Sequence, residues 1–255
     1  MQAAGQDNNE FTERYAYYSK ITQSVDAAVE IIKALPKAKC YDADYLEKQV
    51  IPQLGLNNEL LNEQPPELNP YFGTGLHLWQ YPNQLSKYLT WLAFNASSVR
   101  SYMEIGCRWG GTFILVCEWL RKIGAPLEYA VAVDPIPSTP FLSRYAEISA
   151  IPIIYKEMLS TAPEFKNFAM SIKPEMVFID GDHSMAGVMN DHALARRFAK
   201  IIVHHDVQSQ VCPATTLFWS YLKLAEENFT ASEFIDQYAS VNGSFLGLGA
   251  LKRTA

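Results

Sequence analysis

An alternation of short apolar runs and amphipathic segments begins near residue 99 and constrains the fold of this chain most strongly. The apolar runs lie at 99–105, 129–134, 152–157, 175–180 and 200–206. The amphipathic segments between them lie at 112–123, 140–149, 162–171 and 185–199. Apolar strands separated by helices are typical of βαβ units, whose parallel strands are joined by right-handed crossovers. The pattern therefore predicts an α/β fold with a doubly wound, mostly parallel sheet.

The end of the chain adds two strands to this sheet. A helix is predicted at 214–228, and late strands are predicted near 232–238 and 244–252. With the five earlier runs, these strands give a sheet of seven.

The first 98 residues have a different character, with helical patterns and turn-rich stretches. The patterns predict one or two helices at 10–35 and further helices at 42–54 and 82–95. A segment at 56–75 is rich in Asn, Pro and Gly and is predicted to be a long loop. We therefore expect an N-terminal helical cap and lid region at 1–98 and a ligand-binding core at 99–255.

Composition and charge disfavour several classes of partner. The chain has 255 residues, 49% of them hydrophobic, and a net charge of −6. Nucleic-acid binders usually carry a basic excess, so no nucleic-acid partner is expected. No apolar run reaches the roughly 18 residues of a membrane span, and no secretory signal is visible, so no membrane partner and a cytoplasmic location are expected. The four cysteines form no CxxC pair, and we expect reduced thiols.

The first predicted strand ends in a glycine-rich turn with the sequence EIGCRWGGT, residues 104–112. A dinucleotide fingerprint beginning at Gly106 requires a second glycine at the position of Arg108, where a side chain would obstruct a pyrophosphate. The turn therefore favours a cofactor without phosphates, with Glu104, Gly106 and Gly110 beside it. The alternative is a helix-entry turn with incidental glycines.

Asp134 ends the second predicted strand. A carboxylate at this position can accept hydrogen bonds from both hydroxyls of a ribose. The alternative is that Asp134 only begins the turn Asp-Pro-Ile-Pro.

Carboxylates and histidines follow the fourth and fifth predicted strands, in the sequences IDGDH and HHD. Because these strands should be neighbours, Asp180 and Asp206 can converge on one divalent cation. His205 or Asp182 would add a further ligand. Asp182 has an alternative role as a helix N-cap, for which Ser184 competes.

One histidine of the chain, His183, is the candidate catalytic residue, and the others have different expected roles. His183 follows Asp180 by three residues, and an imidazole suits proton abstraction near neutral pH. Alternation along the strand points His204 into the sheet. His192 is expected on the helix surface or in its packing, and His77 in the long loop is ambiguous.

These motifs resemble class I S-adenosylmethionine-dependent methyltransferases. The sequences EIGCRWGGT, AVAVD, FIDGDHS and IIVHHDV are most similar to small-molecule O-methyltransferases related to macrocin O-methyltransferase and the cephalosporin hydroxylase group. Catechol O-methyltransferase is a more distant relative. The resemblance covers about residues 80–210. It implies a Rossmann-like methyltransferase fold whose sheet ends in an antiparallel hairpin.

The resemblance also implies roles for individual residues. Residues beside the cofactor S-adenosyl-L-methionine would be Glu104, Gly106, Gly110, Asp134, Ser160 and Asp180. Asp180 and Asp206 match the metal-ligand positions and His183 the general-base position, with His205 added as a candidate ligand from its place beside Asp206. The residue before the last aspartate is often acidic in metal-dependent members, whereas it is His205 here. Magnesium prefers oxygen ligands, so magnesium, manganese and the absence of a metal all stay open.

The expected function is O-methylation of a small hydroxylated acceptor, with a sugar, a polyketide-type hydroxyl and a catechol as open alternatives. Trp79, Gln80 and Tyr81 either touch the cofactor or acceptor, or pack in the core. A nicotinamide-dependent oxidoreductase is a second hypothesis, against which Arg108 weighs. A non-catalytic cofactor-binding module is a third, and homo-oligomerisation is left open.

Overall fold

The computed structural model describes residues 20–58 and 64–254. Within these ranges helix α1 covers 20–34, so the part of the predicted helix at 10–19 lies outside the described residues. None of the helices in the described ranges combines the length and the apolar character needed to cross a bilayer.

The elements follow the predicted alternation closely. Helix α2 consists of Ala43–Tyr45, a π-helical turn at Leu46–Val50, and Ile51–Leu54. The other helices are α3 (Pro82–Asn95), α4 (Gly111–Ile123), α5 (Pro140–Ile148), α6 (Pro163–Ile172), α7 (Met185–Ala195) and α8 (Pro213–Ala225). The strands are β1 (Ser101–Ile105), β2 (Tyr129–Asp134), β3 (Ile153–Glu157), β4 (Met176–Ile179), β5 (Ile201–His205), β6 (Phe229–Phe234) and β7 (Leu248–Arg253). Short 3₁₀ helices lie at Lys37–Tyr41 and Pro66–Tyr71, the second within the predicted loop.

The seven strands form one sheet in the order β3-β2-β1-β4-β5-β7-β6. The first five strands are parallel, and β7 is antiparallel to both β5 and β6. The predicted α/β class, the doubly wound sheet and the terminal antiparallel hairpin are therefore confirmed. Strand order reverses between β1 and β4, which is where ligands bind in open α/β sheets.

The two late strands differ from their predicted bounds. Helix α8 ends at Ala225, which lets β6 begin at Phe229 instead of 232. Strand β7 begins at Leu248 because Leu246 and Gly247 have φ values of 61° and 88°, which extended strands do not adopt. Segment 235–247 is therefore a connection, although its apolar residues favour a strand.

The core has one hydrophobic cluster on each face of the sheet. Alternate side chains of β1 serve different clusters, since Tyr102 belongs to one and Met103 to the other. Buried residues of α1, such as Val25 and Ile32, share the cluster of Tyr102. Side chains from both sides of the predicted 98/99 boundary thus share one core, and the division into cap and core stays a prediction.

His192 of α7 and His204 of β5 are buried, and their rings pack against each other. His192 Nδ1 lies 3.0 Å from His204 Nε2, and His192 Nε2 lies 3.1 Å from Glu226 Oε1. His192 is therefore a packing residue, with 3% of its surface exposed, and His204 points into the protein as strand alternation predicts.

Residue 106, directly after β1, must be glycine because the backbone that follows β4 lies against it. Its φ is 84°, and a Cβ atom here would lie 2.0 Å from the carbonyl oxygen of Asp180. The end of β1 can approach the end of β4 this closely only without a side chain. Gly124 has a similar φ of 92°, but the nearest atom to a Cβ there would be Lys37 Nζ at 3.8 Å.

We expect Gly106→Ala to destabilise the protein more than Gly124→Ala. Both variants force a side chain into left-handed backbone, which costs ~1–2 kcal/mol, and only the first adds an overpacking cost of ~1–3 kcal/mol. Urea denaturation measures the difference in free energy of unfolding. Equal losses in the two variants would show that β1 and β4 can separate at no cost.

Candidate active site

A cavity of about 720 Å³ lies at the carboxyl ends of the central strands. This volume is within the usual range for small-ligand sites. The nine residues predicted for the site all line it: Glu104, Gly106, Gly110, Asp134, Ser160, Asp180, His183, His205 and Asp206. They come from five separate stretches of the sequence, and the topology of the sheet brings them together.

The glycine turn after β1 is shaped by protein packing. Gly110 has a φ of 90°, and a Cβ there would lie 2.5 Å from the Leu142 side chain. A Cβ at Gly111 would lie 2.2 Å from the carbonyl oxygen of Leu76. These contacts and the one at Gly106 require glycine before any ligand is considered. The alternative of a helix-entry turn thus explains the glycines, and their spacing alone is not evidence for a ligand.

Asp134 connects the end of β2 to this turn. Its Oδ2 accepts a hydrogen bond of 2.7 Å from the backbone N–H of Arg108, and its Oδ1 accepts one of 3.1 Å from Ile136. Each carboxylate oxygen offers about two acceptor positions, so both oxygens keep capacity for a ligand. The bond to Ile136 is in the turn that the sequence analysis gave as the alternative role of Asp134, and the bond to Arg108 adds a contact with the glycine turn that was not predicted.

Glu104 is a buried acid whose carboxyl group is mostly protonated at neutral pH. Only 2% of its surface is exposed, and Tyr102 Oη donates a 2.5 Å hydrogen bond to Glu104 Oε2. Burial raises the pKa of Glu104 to about 8, although the Tyr102 hydrogen bond opposes that rise. A protonated carboxyl facing the cavity can donate a hydrogen bond to a ligand.

Two carboxylates and two imidazoles form a ring at the ends of β4 and β5. Asp180 Oδ1 lies 3.2 Å from His183 Nε2 and 3.3 Å from His205 Nδ1. Asp206 Oδ2 lies 3.3 Å from the same nitrogen of His183 and 3.2 Å from that of His205. We call these four residues the Asp–His ring. Its members alternate between negative oxygen and imidazole nitrogen.

Asp182 does not join the ring. Its carboxylate accepts hydrogen bonds from the backbone N–H and the hydroxyl of Ser184, each 2.9 Å long. Ser184 caps helix α7 by accepting a 3.1 Å hydrogen bond from the N–H of Gly187. Ser184 is thus the N-cap, and Asp182 orients it.

An unpaired polar atom in the ring fits a bound cation. Asp206 Oδ1 is buried and has no hydrogen-bond partner, whereas His205 Nδ1 contacts the two carboxylate oxygens of the ring. Buried polar atoms are normally paired, and such exceptions suggest an ion or water. Asp206 also has a left-handed φ of 57°, which is unusual for a residue other than glycine and is a strain that proteins keep at functional sites. Carboxylate oxygens and an imidazole nitrogen suit a divalent transition metal.

The charges of the ring members shift one another's pKa. Burial raises the pKa of Asp206, but the neighbouring His205 outweighs it and lowers the value to about 2. Burial also lowers the pKa of His205, but Asp180 and Asp206 together raise it to about 9. The hydrogen bond to Asp180 raises the pKa of His183. Without a metal the ring is a set of ion pairs, and a metal would displace the proton of His205 Nδ1.

Backbone conformations that no sequence pattern reports shape the cavity, and Leu246 and Cys212 line it although the sequence did not predict them there. Of the five non-glycine residues with positive φ in the described ranges, four line the cavity: His77, Arg108, Asp206 and Leu246. The Arg108 guanidinium carbon lies 4.7 Å from the centre of the Trp79 ring, a cation–π contact. Trp79 lines the cavity, whereas Gln80 donates a hydrogen bond to Gln84 and Tyr81 packs edge-on against Tyr238.

Acidic residues outnumber lysine and arginine in the lining of the cavity. Arg108 is its one lysine or arginine within the described residues. Five acids also line it: Glu104, Asp134, Asp180, Asp182 and Asp206.

Comparison with protein-family models and with curated proteins finds no match. Among solved structures, cofactor-bound Rv0187 from MTB is 21% identical with a TM-score of 0.47, over 68% of this chain and 81% of that one. MycE methyltransferase of the mycinamycin biosynthetic pathway, in complex with Mg, SAH and mycinamycin VI, is 14% identical with a TM-score of 0.44, over 66% of this chain and 48% of MycE. A provisionally assigned rRNA methylase from Clostridium thermocellum is 10% identical with a TM-score of 0.48, over 68% and 98%. At these values the likenesses do not decide the reaction or the ligands of this chain.

We expect a divalent cation to stabilise the protein through the Asp–His ring. After chelator treatment, Mn²⁺ at about 100 times its Kd should add about 2.7 kcal/mol, or roughly 5–10 °C in Tm for a chain of this size. Asp206→Asn should lose this stabilisation, because it removes the negative charge that contacts both imidazoles of the ring. Asp182→Asn is the matched control and should keep it. Thermal unfolding with and without Mn²⁺ makes the measurement, and an equal gain in both variants would place the cation elsewhere.

Proposed function

We propose that this protein transfers a methyl group from S-adenosylmethionine to a hydroxyl oxygen of a small acceptor, with a divalent cation assisting. One observation carries the proposal. A single cavity joins the turn after β1, the Asp134 carboxylate and the Asp–His ring. A donor site and a site for deprotonating a hydroxyl thus open into the same space, as in-line transfer requires.

The donor half of the cavity suits an adenosyl ligand with a positive sulfonium. Asp134 keeps acceptor capacity for ribose hydroxyls, and Glu157 of β3 is its register partner. Ser160 follows β3 and lines the cavity, which supports an adenine position beyond the ribose. The acidic lining attracts a cationic ligand, and no array of lysines and arginines is present among the described cavity residues to hold a pyrophosphate.

The acceptor half suits removal of a hydroxyl proton. His183 Nε2 lies 3.2 Å from Asp180 Oδ1, a carboxylate that orients the imidazole and raises its pKa. A raised pKa makes His183 a stronger proton acceptor than a free imidazole. About 43% of the His183 side chain is exposed, so a ligand can reach it.

The proposed metal would be held by Asp180, His205 and Asp206. When bound, a divalent cation lowers the pKa of a coordinated hydroxyl group. Asp206 is buried directly after β5, has a left-handed φ of 57° and lines the cavity. These residues would hold the acceptor oxygen beside the ring.

Two alternative functions differ from this proposal in what they require of the site. A nicotinamide-dependent oxidoreductase would need space for a pyrophosphate at the glycine turn, where Arg108 stands with a φ of 42°. A non-catalytic binding module would bind the cofactor without turnover. The buried, unpaired Asp206 Oδ1 fits a bound ion in either case, so turnover is the measurement that separates the module from an enzyme.

Calorimetry with S-adenosylhomocysteine and with NAD tests the proposal. We expect saturable binding of S-adenosylhomocysteine and none of NAD. Binding of NAD alone would favour the oxidoreductase. Binding of S-adenosylhomocysteine without turnover on sugar, phenolic or catechol acceptors would favour the binding module.

Asp134→Ala should weaken S-adenosylhomocysteine binding sharply. Loss of charge-assisted hydrogen bonds costs about 1.5–3 kcal/mol, which is roughly 10- to 150-fold in Kd. Calorimetry gives the affinity, and thermal unfolding of the unliganded variant reports any damage to the turn. A folded variant that binds like the wild type would remove Asp134 from the ribose site.

His183→Ala should lose turnover and keep cofactor affinity. A positioned base contributes about 10²–10⁴-fold, so kcat should fall within that range. The assay follows release of S-adenosylhomocysteine with the best small hydroxylated acceptor, and calorimetry checks the cofactor. A folded variant with nearly normal kcat would transfer the role of base to another residue.

A further inference from the structure

The Asp–His ring has a fifth neighbour that sequence reasoning did not connect with it. Cys212 Sγ lies 3.4 Å from Asp206 Oδ2, the oxygen that also contacts His183 and His205. Cys212 is six residues beyond Asp206, where it is the N-cap residue of α8, and it lines the cavity. One donor atom each from His183, Asp206 and Cys212 lie within 4.8 Å of one another.

We propose that Cys212 is a thiolate ligand of the metal at this site, and that the site takes a thiophilic divalent ion such as Zn²⁺ rather than Mg²⁺. The proposal rests on the metal in the proposed function and specifies it. It does not depend on the identity of the acceptor.

Cys212 has a simpler role as a hydrogen-bond donor to Asp206, and two observations argue beyond that role. A thiol is a weak donor, and its contact leaves Asp206 Oδ1 without a partner although Asp206 is only 6% exposed. Donor atoms of His183, Asp206 and Cys212 also lie within 4.8 Å of one another, as the ligands of one ion do. A cation beside Asp206 would satisfy Oδ1, whereas the thiol hydrogen bond goes to Oδ2 and does not.

The donor set determines the class of ion. Mg²⁺ prefers six oxygen ligands. At this site an imidazole nitrogen and a thiol sulfur would take two of the six positions. Imidazole and thiolate suit Zn²⁺ and Co²⁺, which bind nitrogen, oxygen and sulfur together. On binding, the Cys212 Sγ–H bond is lost, the proton passes to solvent, and a sulfur–metal bond forms with no change in oxidation state.

Co²⁺ added to chelator-treated protein tests the proposal directly. We expect a thiolate-to-cobalt charge-transfer band in the near ultraviolet together with visible d–d bands. Cys212→Ser should lose the charge-transfer band and keep d–d bands from the remaining ligands. Cys107→Ser is the matched control, because Cys107 lines the same cavity outside the ring, and it should keep both.

Competition between ions gives a second readout. Outer-shell partners of a metal typically contribute 10–100-fold to affinity, so loss of a direct ligand should weaken Zn²⁺ binding by more than about tenfold in Cys212→Ser. Mg²⁺ binding should not change, since Mg²⁺ gains nothing from the thiol. The wild type should prefer Zn²⁺ over Mg²⁺, and the variant should lose most of that preference.

Unchanged charge-transfer absorption in Cys212→Ser, or tighter binding of Mg²⁺ than Zn²⁺ in the wild type, would overturn the proposal. Protein that binds no Co²⁺ would overturn it too. Calorimetry with S-adenosylhomocysteine on the same preparation separates these results from a failure of the proposed methyl transfer. Binding of the nucleoside with no thiolate band rejects only the Cys212 ligand.

Discussion

The site depends on the close contact between the end of β1 and the end of β4. Gly106 has no side chain, which lets its backbone lie against the Asp180 carbonyl group. The chain after β1 leads to β2 on one side, the chain after β4 leads to β5 on the other, and the cavity lies where these directions part. The glycine turn and the Asp–His ring therefore open into one cavity because the backbone after β1 touches the backbone after β4.

Much of this arrangement was predictable, because each component is a local pattern placed by a general rule of topology. Buried parallel strands read as apolar runs, and polar residues at their carboxyl ends converge at one edge of the sheet. Asp134, Asp180 and Asp206 each follow such a run directly. Their convergence needed only the expectation that strands one, two, four and five are near neighbours.

The remainder depends on contacts between distant residues. Gly106 and Gly110 were predicted to lie beside the cofactor, but the atoms that exclude a Cβ there belong to Asp180 and Leu142. The start of β7 was missed because the left-handed backbone of Leu246 has no sequence signal. Cys212 was predicted only to be a reduced thiol, since nothing in the spacing from Asp206 reveals that α8 begins beside the ring.

The acidic residues of the lining have a consequence for the proposed methyl transfer. Nucleotide-binding turns usually face phosphates and are surrounded by positive charge, whereas this cavity has five acids and one arginine. In the proposed reaction a sulfonium donor would lose its positive charge when its methyl group leaves, and its thioether product would be neutral at sulfur. The carboxylates outside the Asp–His ring, Asp134 and Asp182, would then attract the fresh donor more strongly than the spent one. This difference in charge would favour exchange of product for donor.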